Sequence, residues 1–338
     1  MPQPVVLGLD FGGTKTALAV VDAHGTRLGS ATVPTAAEQG AGASLDRAVS
    51  AARRLLAEAA PGGELTAVGV ATIGIPGESG VELAPNIPGW SGLALGRELR
   101  AAFPGARVRL ATDVKAAAGV EAQQGALRGC DPGLYLNLGT GLAVAIVAGG
   151  QVVSGSNGAS GEIGYALRRP ADVGLGAEQR IPLEDVVSGK ALFEQAARHL
   201  PPGATGAEDV FARAPHDPQV AAVLAAFLEE LSFHLVNLAL AVDPRRIAVG
   251  GGLVRSWDAL YGPLRLALDA ALPFPPELVP AAHPYDAPLL GALALGLAAL
   301  REPEGEEPDD PETEHREPDR QGASDDVPEA SPEHARIP

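Results

Sequence analysis

The chain has 338 residues, 46% of them apolar and 20% charged, with a net charge of −17 and a single cysteine. That length suits two domains with separate cores, and the lone thiol, Cys130, excludes an internal disulfide and a cysteine-based zinc site. Basic residues form no stripe and no uncharged apolar run reaches about 18 residues, so neither a nucleic-acid partner nor a membrane span is expected.

The N-terminal MPQPVVLGLDFGG enters a strand pattern directly, without the basic and apolar regions of a secretion signal, so a cytoplasmic location is expected. Val5 to Asp10 reads as an apolar strand and Phe11 to Lys15 as a Gly-rich turn. Thr16 to Asp22 is a second strand, and Arg27 to Val33, after the turn Ala23-His24-Gly25, a third. A helix is expected over about 45–59, a strand over 67–73, and a strand over 108–112 leading into a helix near Lys115.

The same grammar then returns. Leu134 to Asn137 is a strand, Gly139-Thr140-Gly141 a turn, Leu142 to Val147 the return strand, and Gln151 begins another after Gly149-Gly150. LGLDFGGTKTALAVVDAHGTRL and LYLNLGTGLAVAIVAGGQVV therefore read as two copies of one unit, implying two related lobes that each open with a glycine-tipped hairpin. The second half turns helical over 183–199 and 218–241. Arg246 to Val249 is a short strand ending in Gly250-Gly251-Gly252, and helices follow over about 254–271 and 289–300. From Arg301 to Pro338 fourteen acids face four arginines; this stretch carries −10 of the net charge and has the composition of a disordered tail.

Several residues fit a chemical role. The DFGGTK turn matches neither G-x-G-x-x-G nor a P-loop, yet glycines at a hairpin tip let backbone N–H groups approach an anion. Thr14 adds a hydroxyl, Lys15 a charge, and Asp10 a carboxylate able to hold Mg²⁺ directly or through water. Gly139, Thr140 and Gly141 sit at the matching place in the second copy, while Gly250, Gly251 and Gly252 lie where a strand passes into a helix. Asp113 closes a strand at the mouth of an α/β cleft, which suits catalysis but equally suits a helix N-cap. Glu162 lies in a glycine-rich loop, and Glu184 at an expected helix start, where the helix dipole alone would explain it.

Taken in order, LGLDFGGTKTALAVVD, GIPG (74–77), APNIPGW (84–90), ATDVKAAAGVEAQQGA, LNLGTG (136–141), GASGEIGY (158–165), PLEDVVSGKAL (182–192), DPRRIAVGGGLV (243–254) and LLGALALG resemble the ROK family of bacterial sugar kinases (repressors, open reading frames, kinases). The resemblance runs from about Val5 to Leu300. It implies an α/β, actin-like ATPase (ribonuclease H-like) fold with two lobes around a cleft. By it, a small lobe spans 1–115 with the helix at 289–300 packed back on it, a large lobe spans 116–288, and a disordered acidic tail spans 301–338. It also implies ATP and Mg²⁺ as cofactors, a small-molecule sugar substrate and a homodimer.

The residue roles it implies are as follows. Gly12, Gly13, Thr14, Lys15, Gly139, Thr140 and Gly141 meet phosphates, and Gly250 to Gly252 lie near the adenosine. Asn86, Asp113, Glu162, Tyr165 and Glu184 meet sugar hydroxyls, with Asp113 as general base.

Three departures stand out. Thr112-Asp113-Val114-Lys115 replaces the family's Asn-Asp-x-Asn, and Tyr165 replaces a histidine that touches sugar and zinc. Leu175, Ala177 and Pro182 replace the zinc cysteines, so no zinc is expected and the loop 168–181 must be held by packing or be mobile. Losing one sugar contact costs ~1–3 kcal/mol, enough to shift sugar choice without abolishing turnover. The expected activity is a glucokinase-like transfer to a hexose; a kinase for an N-acetylated amino sugar or fructose, and a non-catalytic sugar sensor, are the alternatives. A DNA-binding repressor is not expected, because the chain starts at the phosphate-loop strand.

Overall fold

The structure, a computed structural model, describes residues 2–84 and 87–302. Asn86 and the acidic stretch 303–338 lie outside the described residues.

Two five-stranded sheets carry the fold. The first contains β1 (Pro4–Phe11), β2 (Lys15–Asp22), β3 (Arg27–Pro34), β4 (Glu64–Thr72) and β7 (Arg107–Thr112), in the order β3-β2-β1-β4-β7. The second contains β8 (Gly133–Leu138), β9 (Leu142–Ala148), β10 (Gln151–Val152), β11 (Arg246–Gly250) and β12 (Glu277–Pro280), in the order β10-β9-β8-β11-β12. In both, three strands run as an antiparallel meander and two more add in parallel beside the first. The repeat read in the sequence is thus a repeat of topology. A small hairpin, β5 (Ile75–Pro76) with β6 (Val81–Glu82), follows β4.

β1 is apolar on both faces because both faces are covered. Val5, Leu7, Leu9 and Phe11 pack with Leu45, Ala48 and Ala52 of α1 (Gly40–Ala59) and with Leu95 and Leu99 of α2 (Leu95–Ala102). Val6 points the other way, with Ala19, Val21 and Ala67, onto Leu289 and Leu293. The second sheet divides in the same manner. Leu134, Leu136, Ile247 and Val249 face a core shared by four helices: α4 (Gly189–Ala196), α5 (Ala207–Arg213), α6 (Pro218–Val242) and α7 (Trp257–Ala271). Tyr135, Ala143, Ala145 and Ala248 face Val114, Ala117 and Ala118 of α3 (Asp113–Gln124).

The last helix among the described residues, α8 (Ala287–Arg301), joins the two halves. It lies on the first sheet, where a Cβ on Gly69 would stand 1.8 Å from the Ala292 carbonyl oxygen. It also abuts α3, where a Cβ on Gly291 would stand 2.0 Å from the Ala116 carbonyl oxygen. The layers therefore run first sheet, α8, α3, second sheet.

Element boundaries moved where local signals were weak. The helix expected over 254–271 begins as a 3₁₀ turn, Gly252–Ser256, before α7. The span 183–199 holds the single α-helix α4 between short 3₁₀ turns. By length and composition α6 could cross a membrane. Glu229 and Glu230 lie near its middle, however, and Val220, Phe227, Leu231 and Leu235 pack one face into the second core.

Gly69→Ala must push α8 off the sheet, since its Cβ meets fixed backbone. The expected loss is about 2–3 kcal/mol or more, read as a lower urea midpoint with unchanged slope. An unchanged midpoint would show that α8 is not seated as described.

Candidate active site

The first glycine run presents backbone to open space, and the second and third are packed closely. At the β1–β2 tip, Gly12 N–H donates to Lys15 O at 3.1 Å. Buried Thr35 props the tip from behind, its hydroxyl donating to Gly12 O at 2.6 Å and its N–H to Thr14 O at 2.9 Å. Gly13, Thr14 and Lys15 are exposed, and nothing lies within 4 Å of a Cβ placed on Gly13. The β8–β9 tip repeats the turn, with Gly139 N–H donating to Gly141 O at 3.1 Å.

The second and third runs touch. β11 pairs with β8 so that Gly250 lies opposite Asn137. Gly251, at φ +87°, passes so close to the Gly139 turn that a Cβ would meet Gly139 N at 2.8 Å. Gly250 leaves room for the Tyr135 hydroxyl, 2.0 Å from where its Cβ would be. The first tip stands apart from this pair and is linked to the site by charge, through Asp10 and Lys15.

Asp113 begins α3 as the chain leaves β7. Thr112, rather than Asp113, caps the helix: its hydroxyl oxygen accepts from Lys115 N–H at 3.2 Å. Among the described residues Asp113 accepts from the adjacent Val114 N–H, at 2.9 Å through Oδ1, and from no side chain. Its carboxylate is therefore available for other work. Glu184 also departs from expectation. It lies in a 3₁₀ turn, Leu183–Asp185, ahead of α4, whose N-cap is Ser188. The helix dipole does not explain it. Instead its Oε2 accepts from Leu142 N–H at 2.7 Å, pinning it to the start of β9, and fills the space beside Gly141.

Four carboxylates gather here. Burial and repulsion from Asp113 push Asp10 up to about 7 against a smaller opposing pull from Lys15. Burial also pushes Asp113 up to about 6, opposed by the Val114 N–H and reinforced by Glu184. Glu162 and Glu184 are raised as well, chiefly by burial. Tyr165 is raised by burial and by the nearby charges of Glu184 and Glu162. Asp113, Glu162, Tyr165 and Glu184 thus share one electrostatic neighbourhood, and Asp10 joins it through Asp113.

The chain matches the sequence profile of the ROK family over residues 6–299. It is 31% identical over 279 residues to an N-acetyl-D-glucosamine kinase of Yersinia pseudotuberculosis, covering 78% of this chain and 89% of that protein. It is 28% identical over 315 residues to a glucokinase of Thermotoga maritima, covering 87% and 98%. A ROK family glucokinase from Streptomyces griseus, solved with glucose and AMPPNP, superposes with a TM-score of 0.70 at 28% identity, over 86% of this chain and 99% of that one. The chain is a sugar kinase of the ROK family.

Two features of this ROK kinase escaped the sequence reading. Lys115, noted there only as a departure, is buried; its ammonium bonds to Gly158 O and lies near Glu162 and Asp113. Burial lowers its pKa against the pull of both carboxylates. The signal was a lone charge within the apolar run Val114 to Ala118. Glu121, two turns on, is fully buried and accepts from Ala126, Ala282 and His283 N–H at 2.6, 3.0 and 2.7 Å. It ties α3 to the chain just after β12, and its only signal was an acid inside an apolar helix.

The loop 168–181 is held neither by apolar packing nor left loose. Arg168 makes a two-pronged pair with Glu230 of α6, at 2.7 and 3.2 Å. Asp172 accepts from Arg169 Nε at 3.0 Å, and Arg180 donates to two backbone carbonyls.

Asp113→Asn should stabilise the fold at pH 8. With a folded pKa of about 6 against 3.8, the charged form is penalised in the folded state. That penalty is absent below about pH 4 and complete above about pH 6, so the gain of about 1–3 kcal/mol should grow through this window. Urea midpoints at pH 4 and pH 8 check it, and equal differences at both pH values would contradict it.

Proposed function

We propose that this ROK kinase transfers the γ-phosphoryl group of ATP to a hydroxyl of glucose, with Asp113 as general base. The observation that carries the reading is the state of Asp113: relieved of capping by Thr112, desolvated, pushed up to about 6, and grouped with Glu162, Glu184 and Tyr165. A base near the working pH with one hydrogen-bonded oxygen suits removal of a sugar hydroxyl's proton.

ATP supplies the phosphoryl group, and magnesium neutralises charge on its phosphates. The residues fit both. Among the described residues no cluster of three ligating side chains forms a metal cage. Magnesium commonly needs only one or two carboxylates besides phosphates and water, and Asp10, largely desolvated and only partly offset by Lys15, suits that role. Gly12, Gly13 and Thr14 offer backbone and hydroxyl donors at an open tip, and Lys15 offers charge. Gly139, Thr140 and Gly141 offer a second such tip, and Gly250, Gly251 and Gly252 flank it on the adenosine side.

On the acceptor side, Asn86, Glu162, Tyr165 and Glu184 hold sugar hydroxyls. Asp113 takes the proton of the attacking oxygen as that oxygen bonds to phosphorus, and desolvation sharpens every charge involved. Glu184 rests against Gly141, so one turn serves phosphate on one side and sugar on the other. The setting is cytoplasmic. A homodimer is the matching assembly, supported by Phe233 and Leu240 exposed on one face of α6.

A second reading, transfer to an N-acetylated amino sugar, is favoured by the likeness to the Yersinia enzyme. ADP release with Mg²⁺-ATP against glucose, mannose, fructose, N-acetylglucosamine and N-acetylmannosamine separates the two. Glucose should give the highest kcat/KM; preference for N-acetylglucosamine would establish the second reading, and no release with any of them would defeat both.

Asp113→Ala should lower kcat by about 10²–10⁴-fold while the protein stays folded. Turnover near that of the parent would sink the assignment. Since Asp113 must be ionised to act, kcat/KM should fall as pH drops through about 6. A profile flat down to pH 4.5 would speak against it.

A further inference from the structure

Residues 166–181 run irregularly from Tyr165 toward Glu184. Little burial holds them: Leu167, Val173, Leu175 and Ile181 are exposed, and Asp172 is the one buried side chain among them. Their start is tied to α6 through Arg168, three residues past Tyr165, and Glu230. Their end is closed by a single side chain. Arg180 Nη2 donates to Tyr165 O at 2.7 Å, and Nη1 donates to Ala166 O at 3.1 Å. Its Nε is also buried and has no acceptor among the described residues. The guanidinium is therefore set into the structure rather than lying on its surface, and a buried donor left unpaired points to a constraint other than stability.

We propose that Arg180 is the positioning residue of the acceptor side, its fork fixing Tyr165 against Glu184 so that both meet the same sugar. This rests on the kinase reading above. Arg180 stands four residues before Glu184 and bonds the backbone of Tyr165 itself, so it spans the two ends of the loop. Glu184 is held independently, by Leu142 N–H of β9. With Glu184 fixed to the sheet and Tyr165 closing the 3₁₀ turn Ile163–Tyr165, the fork sets how that turn faces the Glu184 end of the loop. Tyr165 lies near the charges of Glu184 and Glu162, so these groups share the space the fork governs. A planar guanidinium makes two parallel charge-assisted bonds and so sets an angle as well as a distance; an ammonium cannot. The side chain touches backbone only, which separates this role from that of the groups assigned to sugar.

The test compares Arg180→Met and Arg180→Lys with the parent in the full chain. In Arg180→Met, KM for the preferred sugar should rise about tenfold or more, with KM for ATP within about twofold and kcat within about threefold. Arg180→Lys, able to reach one carbonyl, should recover part of the loss. Amide hydrogen exchange over 165–181 should quicken in the Met variant while α6 and both sheets keep their protection. An equal rise in both KM values, an unchanged sugar KM, or unchanged exchange over 165–181 overturns the proposal. The exchange comparison needs no turnover: failure of the kinase reading shows as a parent protein silent toward every sugar, failure of this one as a loop indifferent to Arg180.

Discussion

The close seating of α8 on bare backbone is the constraint on which the site depends. Gly69 on β4 and Gly291 on α8 each remove the one atom that would hold these layers apart. Gly296 adds to this, since a Cβ there would meet Gly69 N at 3.1 Å and Val6 at 2.4 Å. Because α8 is pressed between the first sheet and α3, the start of α3 is fixed relative to both sheets. Asp113 is the first residue of α3, so a packing relation between helices sets where the carboxylate stands. Backbone-to-backbone contact suits this task, since it leaves few rotamers to blur the geometry.

The charges around Asp113 show what that placement costs. Asp10, Asp113, Glu162 and Glu184 are all raised by burial, and Lys15 and Lys115 offset them only in part. Such a set of desolvated like charges is poor for folding. Lys115 is the informative member. It lends positive charge beside Asp113 and Glu162 while holding the Gly158 carbonyl, so one side chain both balances the cluster and shapes the glycine-rich loop that carries Glu162.

The duplicated meander was legible in sequence because each strand is short, apolar and bounded by glycine. The strands over 67–73, 108–112 and 246–249 were legible because short apolar runs stand out from helical neighbours, whereas their parallel pairing and β12 were not read. What escaped was set by tertiary partners. Asp113 and Thr112 were equally good caps by residue type, and only backbone geometry assigns the duty to Thr112. Glu184 looked like an acid at a helix start until its oxygen was found on Leu142 N–H, forty-two residues away in sequence. Arg180 offered no local signal at all, since its partners are carbonyls, which every residue has. The loop it closes shows how ion pairs and backbone acceptors hold a segment whose apolar side chains face solvent.

The order in which the chain is made gives α8 a further significance. The first sheet is complete in sequence by Thr112, yet the face bearing Val6, Ala19, Val21 and Ala67 is covered only by residues near Leu289 and Leu293. A nascent chain therefore carries that apolar face bare while more than half of the protein is still to be synthesised. Contacts this distant close late and slowly. The relation between the first sheet and α3 is therefore completed only once α8 is made.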